Sequence, residues 1–228
     1  MIENSDFETF LYISKNKYQI FVYDRNNLKN LYHEEIESDD EIELNILSKF
    51  IDDNIYKIEK MIKDFIRNII LIIEDDKILD IGISLKKKNY EKNVDQKHLE
   101  NSLVEVKDIF KENYQDLIIM HMIIVEKQNS FLLTNTSNKD DYLFLEVNFI
   151  AISNNFTFNF NKLLENQQIK IKRYMSGNYI KNYFGEDATE LSVMANKLNN
   201  GLNKNEVQLV SKNIENRGFF ERFFQLFS

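Results

Sequence analysis

The chain of 228 residues contains no cysteine, no proline and no tryptophan, and only five glycines. Without cysteine there is no disulfide framework, thiolate nucleophile, zinc knuckle or iron–sulfur cluster. Gly82, Gly177, Gly185, Gly201 and Gly218 lie too far apart to write a P-loop, a dinucleotide fingerprint or a nucleophile elbow. Turns therefore fall to clusters of Asn, Asp and Ser. A positive charge balance is also missing. With 29 basic against 37 acidic residues the net charge is -8, which argues against nucleic acid as a partner and against anionic membrane binding by the whole surface. No window approaches the ~18 apolar residues of a spanning helix. The amino terminus, MIENSDFETF, is acidic and has no apolar signal core. These features predict a cytoplasmic protein whose membrane contact is peripheral, with no cofactor and no metal.

What is present is the composition of a folded α/β chain, 43% hydrophobic and 29% charged. Its richness in Ile, Asn and Lys is compositional background rather than low complexity. Phe10 to Ser14, Tyr18 to Tyr23 and Leu28 to Ile36 read as a three-stranded meander with turns at Lys15–Asn16 and Asn26–Asn27. Leu44, Leu47, Ile51, Ile55, Ile58, Ile62 and Phe65 step by three or four and draw the apolar stripe of a helix. Asn68 to Ile73 is a strand, and Asp75–Asp76 suggests a hairpin to Ile78–Leu85. Asp95 is a candidate cap for a second amphipathic helix carrying Leu99, Leu103, Val106 and Phe110. The apolar run Leu117 to Val125 predicts a central strand. Phe131–Thr134 and Tyr142–Ile152 predict two more. A short helix capped by Asn154 or Asn155 follows, and then a strand over Ile169–Tyr174. Beyond Gly177 the pattern turns helical, with Asp187 as a cap, until Asn199–Asn200–Gly201 ends it and a linker runs to Gly218.

Chemical motifs are weak. Asp80-Ile81-Gly82-Ile83-Ser84 resembles the phosphate-binding Asp-x-Gly turn of actin-like ATPases, but the chain offers no second such loop, and the sequence reads as an ordinary strand turn. His33, His98 and His121 have no ligand spacing; His121, inside an apolar strand, reads as a hydrogen-bonded core residue. Asp39–Asp40–Glu41 does not match a calcium loop.

The last eleven residues, GFFERFFQLFS, carry the strongest pattern. On a helical wheel Phe219, Phe220, Phe223, Phe224, Leu226 and Phe227 share an apolar arc of about 160°, and Glu221, Arg222 and Gln225 fall outside it. One reading is an in-plane membrane anchor, with Arg217 and Arg222 near anionic headgroups. The other is a terminal helix that closes the protein's own core.

The order of these elements resembles the front half of the bacterial cell-division family FtsA. The stretches that carry the likeness are FLYISKNKYQIFVYD, LNILSKFIDDNIYKIEKMIKDFI, NIILIIEDDKILDIGIS, DQKHLENSLVEVKDIF, LIIMHMIIVE, YLFLEVNFIAIS and GFFERFFQLF. The departures are the opening phosphate turn, which would fall near Leu11 to Ser14, where no Asp or Gly stands, the proline and tyrosine absent near Ile124 and Lys127, and the family's later subdomains, for which the sequence has no space. The resemblance implies an α/β fold divided into a meander and helix (1–66), a strand–helix–strand–strand domain (67–176), a helical region and linker (177–217) and an amphipathic membrane helix (218–228). It also implies a non-enzymatic adaptor of the divisome at the septum, peripheral on the cytoplasmic side of the inner membrane. Its body would bind division proteins, with direct FtsZ binding open, and would offer a surface for self-association. The alternative is a soluble α/β assembly or ligand-binding protein whose terminal helix packs on its own core.

Overall fold

The computed structural model describes residues 7–39, 41–88, 96–125, 142–185 and 189–208. Strands β1 (Phe7–Ser14), β2 (Lys17–Asp24) and β3 (Lys29–Glu37) form the expected antiparallel meander. Helix α1 (Leu44–Ile62) follows, and β4 (Asn68–Glu74) returns to pair in parallel with β1. The chain then forms β5 (Leu79–Lys88), α2 (Gln96–Asn113), β6 (Leu117–Ile124), β7 (Tyr142–Ser153) and α3 (Asn154–Asn166). Strand β8 (Lys170–Ser176) pairs in parallel with β4, and helices α4 (Gly177–Phe184) and α5 (Leu191–Asn199) complete the order. The protein is thus mixed α/β, with a five-stranded sheet β3-β2-β1-β4-β8 and a three-stranded antiparallel sheet β5-β7-β6.

The larger sheet is covered on both faces, which is why β1 and β4 read as near-continuous apolar runs. One face buries Leu11, Ile13, Ile20, Leu71 and Ile73 against Leu47, Ile51, Ile55 and Ile58 of α1 and Phe160 and Leu164 of α3. The other packs Phe10, Phe21, Ile70 and Ile72 against Ile180 of α4 and Met194, Ala195 and Leu198 of α5. The smaller sheet has its own core, where Val106 and Phe110 of α2 meet Met122, Leu145, Val147 and Phe149. The Phe110 and Phe149 rings stack there at 4.5 Å.

Several expectations change. Strands β4 and β5 do not form a hairpin: after Asp75–Asp76 the chain leaves the larger sheet, and β5 pairs with β7 instead. Strand β6 is not central but an edge; β7 is the central strand of its sheet. The α1 stripe stops at Ile62 because Lys63 takes a left-handed conformation, φ 58°, and Phe65 beyond it is exposed. Ser153, not an Asn, occupies the N-cap of α3, and Glu190 occupies that of α5. Asp80–Ser84 lies inside β5 rather than in a turn. The stretch after Gly201 does not begin as a free linker. Val207 N–H donates to Met122 O at 2.8 Å and Ile124 N–H to Asn205 O at 2.9 Å, so residues 205–207 close the outer edge of β6. Asp40, Asp95, Phe131–Thr134, Asp187 and the tail with Arg217, Phe219, Phe220, Arg222, Phe223, Phe224, Leu226 and Phe227 lie outside the described residues.

Candidate functional site

Parallel strands β1, β4 and β8 end side by side at Ser14, Glu74 and Ser176. Chain connections run to opposite sides of β1 and β4, so the crevice beyond their carboxyl ends is where an open α/β sheet accommodates a ligand. A cleft of about 640 Å³ lies there, lined by Tyr12, Ser14, Lys15, Asn16, Lys17, Gln19, Glu74, Asp75, Asp76, Asn178, Lys181 and Leu191. A second cleft of about 690 Å³ shares Lys15, Asp75 and Asp76 with it and is lined further by Ile42, Leu44, Phe156 and Phe160.

Each lysine of the first cleft is paired with a carboxylate of the chain, Lys17 with Glu35 of β3 at 3.5 Å and the other two within the cleft. Lys181 Nζ donates to Glu74 Oε2 at 2.5 Å, and Tyr12 Oη donates to the same oxygen at 2.7 Å. Burial, and then the bond to Glu74, pushes the Tyr12 phenol up. Burial pulls Lys181 down, but its bonds to Glu74 and Tyr12 leave it above the ordinary lysine value. Lys15 Nζ pairs with Asp76 at 2.7 Å, which lifts the Lys15 ammonium and holds the Asp76 carboxyl below its usual range. In the β1–β2 turn, Ser14 Oγ donates to Lys17 O and accepts from Lys17 N–H, both at 3.1 Å. Gly177 starts α4 directly against this cluster; a Cβ there would stand 3.1 Å from both Glu74 Cβ and Oε2. An anion entering the cleft would have to displace Glu74 from Lys181, Asp76 from Lys15 or Glu35 from Lys17. Among the described residues no group of three or more His, Asp or Glu side chains converges to hold a metal ion.

A second polar cluster sits where the two sheets meet. His121 is 1% exposed. It accepts from Ser176 N–H on Nε2 at 2.9 Å, so its proton sits on Nδ1, which donates to Glu206 Oε1 at 2.7 Å. Arg173 Nη2 reaches the same carboxylate oxygen at 2.5 Å, and Nη1 donates to Asn199 Oδ1 at 3.1 Å. Tyr179 lies 4.3 Å from the imidazole, ring to ring, and its hydroxyl accepts from Asn203 Nδ2 at 2.8 Å. Burial, outweighing the bond to Glu206, depresses the His121 pKa. Burial also pushes the Tyr179 phenol up to about 12. This knot joins β6, β8, α4 and the segment ahead of the tail. It is a structural clasp, since His121 has both ring nitrogens engaged.

The membrane-binding residues expected from the sequence lie outside the described residues, and no cleft residue was expected to form a site. Lys15–Asn16 and Asp75–Asp76 read only as turns, and Leu11 to Ser14 as the place of a phosphate turn that lacks its Asp and Gly; Glu74 and Lys181 are brought to them by topology alone. No helix among the described residues is long and apolar enough to cross a membrane.

No family model matches the chain, and no curated protein matches it. Solved structures are similar at low identity. The cytoplasmic domain of EpsL, an inner membrane component of the type II secretion system of Vibrio cholerae, is 10% identical with a TM-score of 0.40, over 76% of this chain and 58% of that one. A PilM–PilN type IV pilus biogenesis complex gives 9% identity and a TM-score of 0.45, over 77% and 49%. A Bacteroides thetaiotaomicron protein of unknown function with an actin-like ATPase fold gives 13% identity and a TM-score of 0.34, over 80% and 58%. The chain thus spans about half to three-fifths of the structures it resembles.

Proposed function

We propose that this protein is a non-enzymatic adaptor, kin to a reduced FtsA, tethered to the inner membrane by Phe219–Phe227 and binding division proteins through its α/β body. The observation that carries the tether is the sequence spacing of the tail, which in a helix would put five phenylalanines and a leucine on one face. Burying a Phe is worth roughly 1.5–3 kcal/mol, so half-burial of that face in the headgroup boundary offsets the ordering of a short terminal helix. The adaptor reading is supported by the cleft at the strand ends, where Lys181 and Lys15 already hold carboxylates of the chain itself. A nucleotide's phosphates find no unclaimed cation in that arrangement, and no glycine in the β1–β2 turn lets the backbone approach them.

The test is deletion of Gly218–Ser228 followed by co-sedimentation with phosphatidylglycerol-containing vesicles. The expected result is loss of sedimentation with an unchanged circular dichroism spectrum. Undiminished sedimentation overturns the tether. A truncated protein that no longer folds favours the terminal helix as part of the core, the soluble assembly or ligand-binding alternative.

A further inference from the structure

The tail departs from a particular face of the body. Gln208, the last described residue, donates through Nε2 to Asn199 O at 3.0 Å, which pins it to the carboxyl end of α5. Around that end stand Lys172, Lys197 and Lys204, all exposed. Lys172 reaches Glu8 at 3.4 Å, and Glu8 accepts in turn from Asn196 and Asn199, so this lysine belongs to the same surface. Leu202, whose N–H donates to Lys197 O, is 46% exposed beside them. From Leu191 to Gln208 the only acid is Glu206, and it is buried in its pair with Arg173. Glu8 is likewise buried. Among the described residues the exposed charge at this end of α5 is therefore of one sign, in a chain whose net charge is -8, and the exposed acid Glu190 stands at the helix's other end.

The compensating acids sit elsewhere. Glu34, Glu35 and Glu37 are exposed on β3, the opposite edge of the larger sheet from β8. Four strand spacings separate those edges, about 19 Å, roughly twice the Debye length at physiological salt. The amino end of α5 reaches β3, where Asn30 donates to Glu190, so an anionic plane meets the lysines only at the carboxyl end of the helix. The reach of the tail enforces proximity: residues 209–217 span at most about 32 Å.

Resting on the tether reading, the geometry points to a second membrane contact: the face formed by Lys172, Lys197, Leu202 and Lys204 lies against anionic phospholipid headgroups and sets the orientation of the body. The tail supplies apolar depth, and this face supplies charge attraction at high effective concentration. A basic residue at such a surface strengthens binding about fivefold, so three give on the order of a hundredfold, reduced where Glu8 shares Lys172.

The absence of cysteine allows single-site labelling of the full chain. An environment-sensitive fluorophore at Leu202→Cys shifts to the blue on phosphatidylglycerol/phosphatidylcholine vesicles, and one at Glu34→Cys does not. The triple variant Lys172→Gln/Lys197→Gln/Lys204→Gln binds those vesicles at least tenfold more weakly, with the difference vanishing in high salt. If the triple variant binds like the wild type and the label at 202 stays in water, while removal of Gly218–Ser228 releases the protein, the oriented face is wrong and the tether stands. If the truncated chain still binds through the lysines, the face stands and the tether falls. If the intact chain ignores anionic vesicles, both fall.

Discussion

Glu206 is the residue on which the junction of the two sheets depends most. Its side chain is 2% exposed and its partner Arg173 20% exposed, so the pair is largely out of water. Replacing Glu206 by Ala leaves a guanidinium with only Asn199, a buried imidazole N–H on Nδ1 with no acceptor, and the edge of β6 held by backbone bonds alone. Removing one partner of a buried ion pair costs about 3–5 kcal/mol, most of it from the charge left behind. Glu206→Gln retains an acceptor for His121 and Arg173 and costs about half as much. Urea unfolding, followed by circular dichroism, measures both. The slope m stays constant if only stability changes. The double variant with Arg173→Met completes a cycle, and a coupling above about 1 kcal/mol is expected for groups in direct contact. A loss below about 1 kcal/mol for Glu206→Ala would refute the clasp and show that residues 203–207 are loosely held.

The remaining predictions concern the same two polar regions and the core of the smaller sheet. Because burial lowers the folded-state pKa of His121, the unfolded chain takes up its proton first as pH falls. Stability is therefore full above about pH 6.5 and declines below it by at most about 1.4 kcal/mol per pH unit. His121→Gln, which keeps one donor and one acceptor, flattens that slope between about pH 6.5 and 5; an unchanged slope rules His121 out as its source. Gly177→Ala drives a methyl into Glu74 and Tyr12 and lowers stability by about 1–3 kcal/mol despite better helix propensity, as read by urea midpoint. Phe110→Ala opens the core of the smaller sheet and costs about 3–5 kcal/mol in the same assay. Calorimetric titration with ATP and magnesium gives no heat of binding, and a saturable heat would reinstate the cleft as a nucleotide site.

The meander, the first two helices and most strands were legible because their apolar residues repeat at periods of two or 3.6. Strand β6 was misplaced for a physical reason. Where residues 205–207 close its outer side, this edge strand buries Met120, His121 and Met122 as a central strand would, and those residues carry no mark of which neighbour covers them. The clasp was illegible for a different reason. His121 and Glu206 are 85 positions apart, and Arg173 and Glu206 are 33 apart, so no local spacing announces the contact. Asn203–Lys204–Asn205 reads as linker because its polar side chains serve turns and caps as readily as free loops. The β4–β5 hairpin failed because Asp75–Asp76 marks a turn without saying which sheet the next strand enters.

The two polar regions differ in what they permit. In the clasp, the bonds of His121 to Glu206 and Ser176 are buried and Glu206 is 2% exposed, so removing Glu206 leaves an unpaired buried group. In the cleft, Lys15 and Asp76 are 44% and 75% exposed, and Lys181 is 47% exposed against 28% for Glu74. Ion pairs so open to solvent contribute little to stability. A partner's carboxylate or ammonium therefore exchanges with them at small cost, whereas nothing exchanges with Glu206. The junction of the two sheets is thus fixed by buried pairs, and the strand ends carry pairs that solvent or another charged group can exchange.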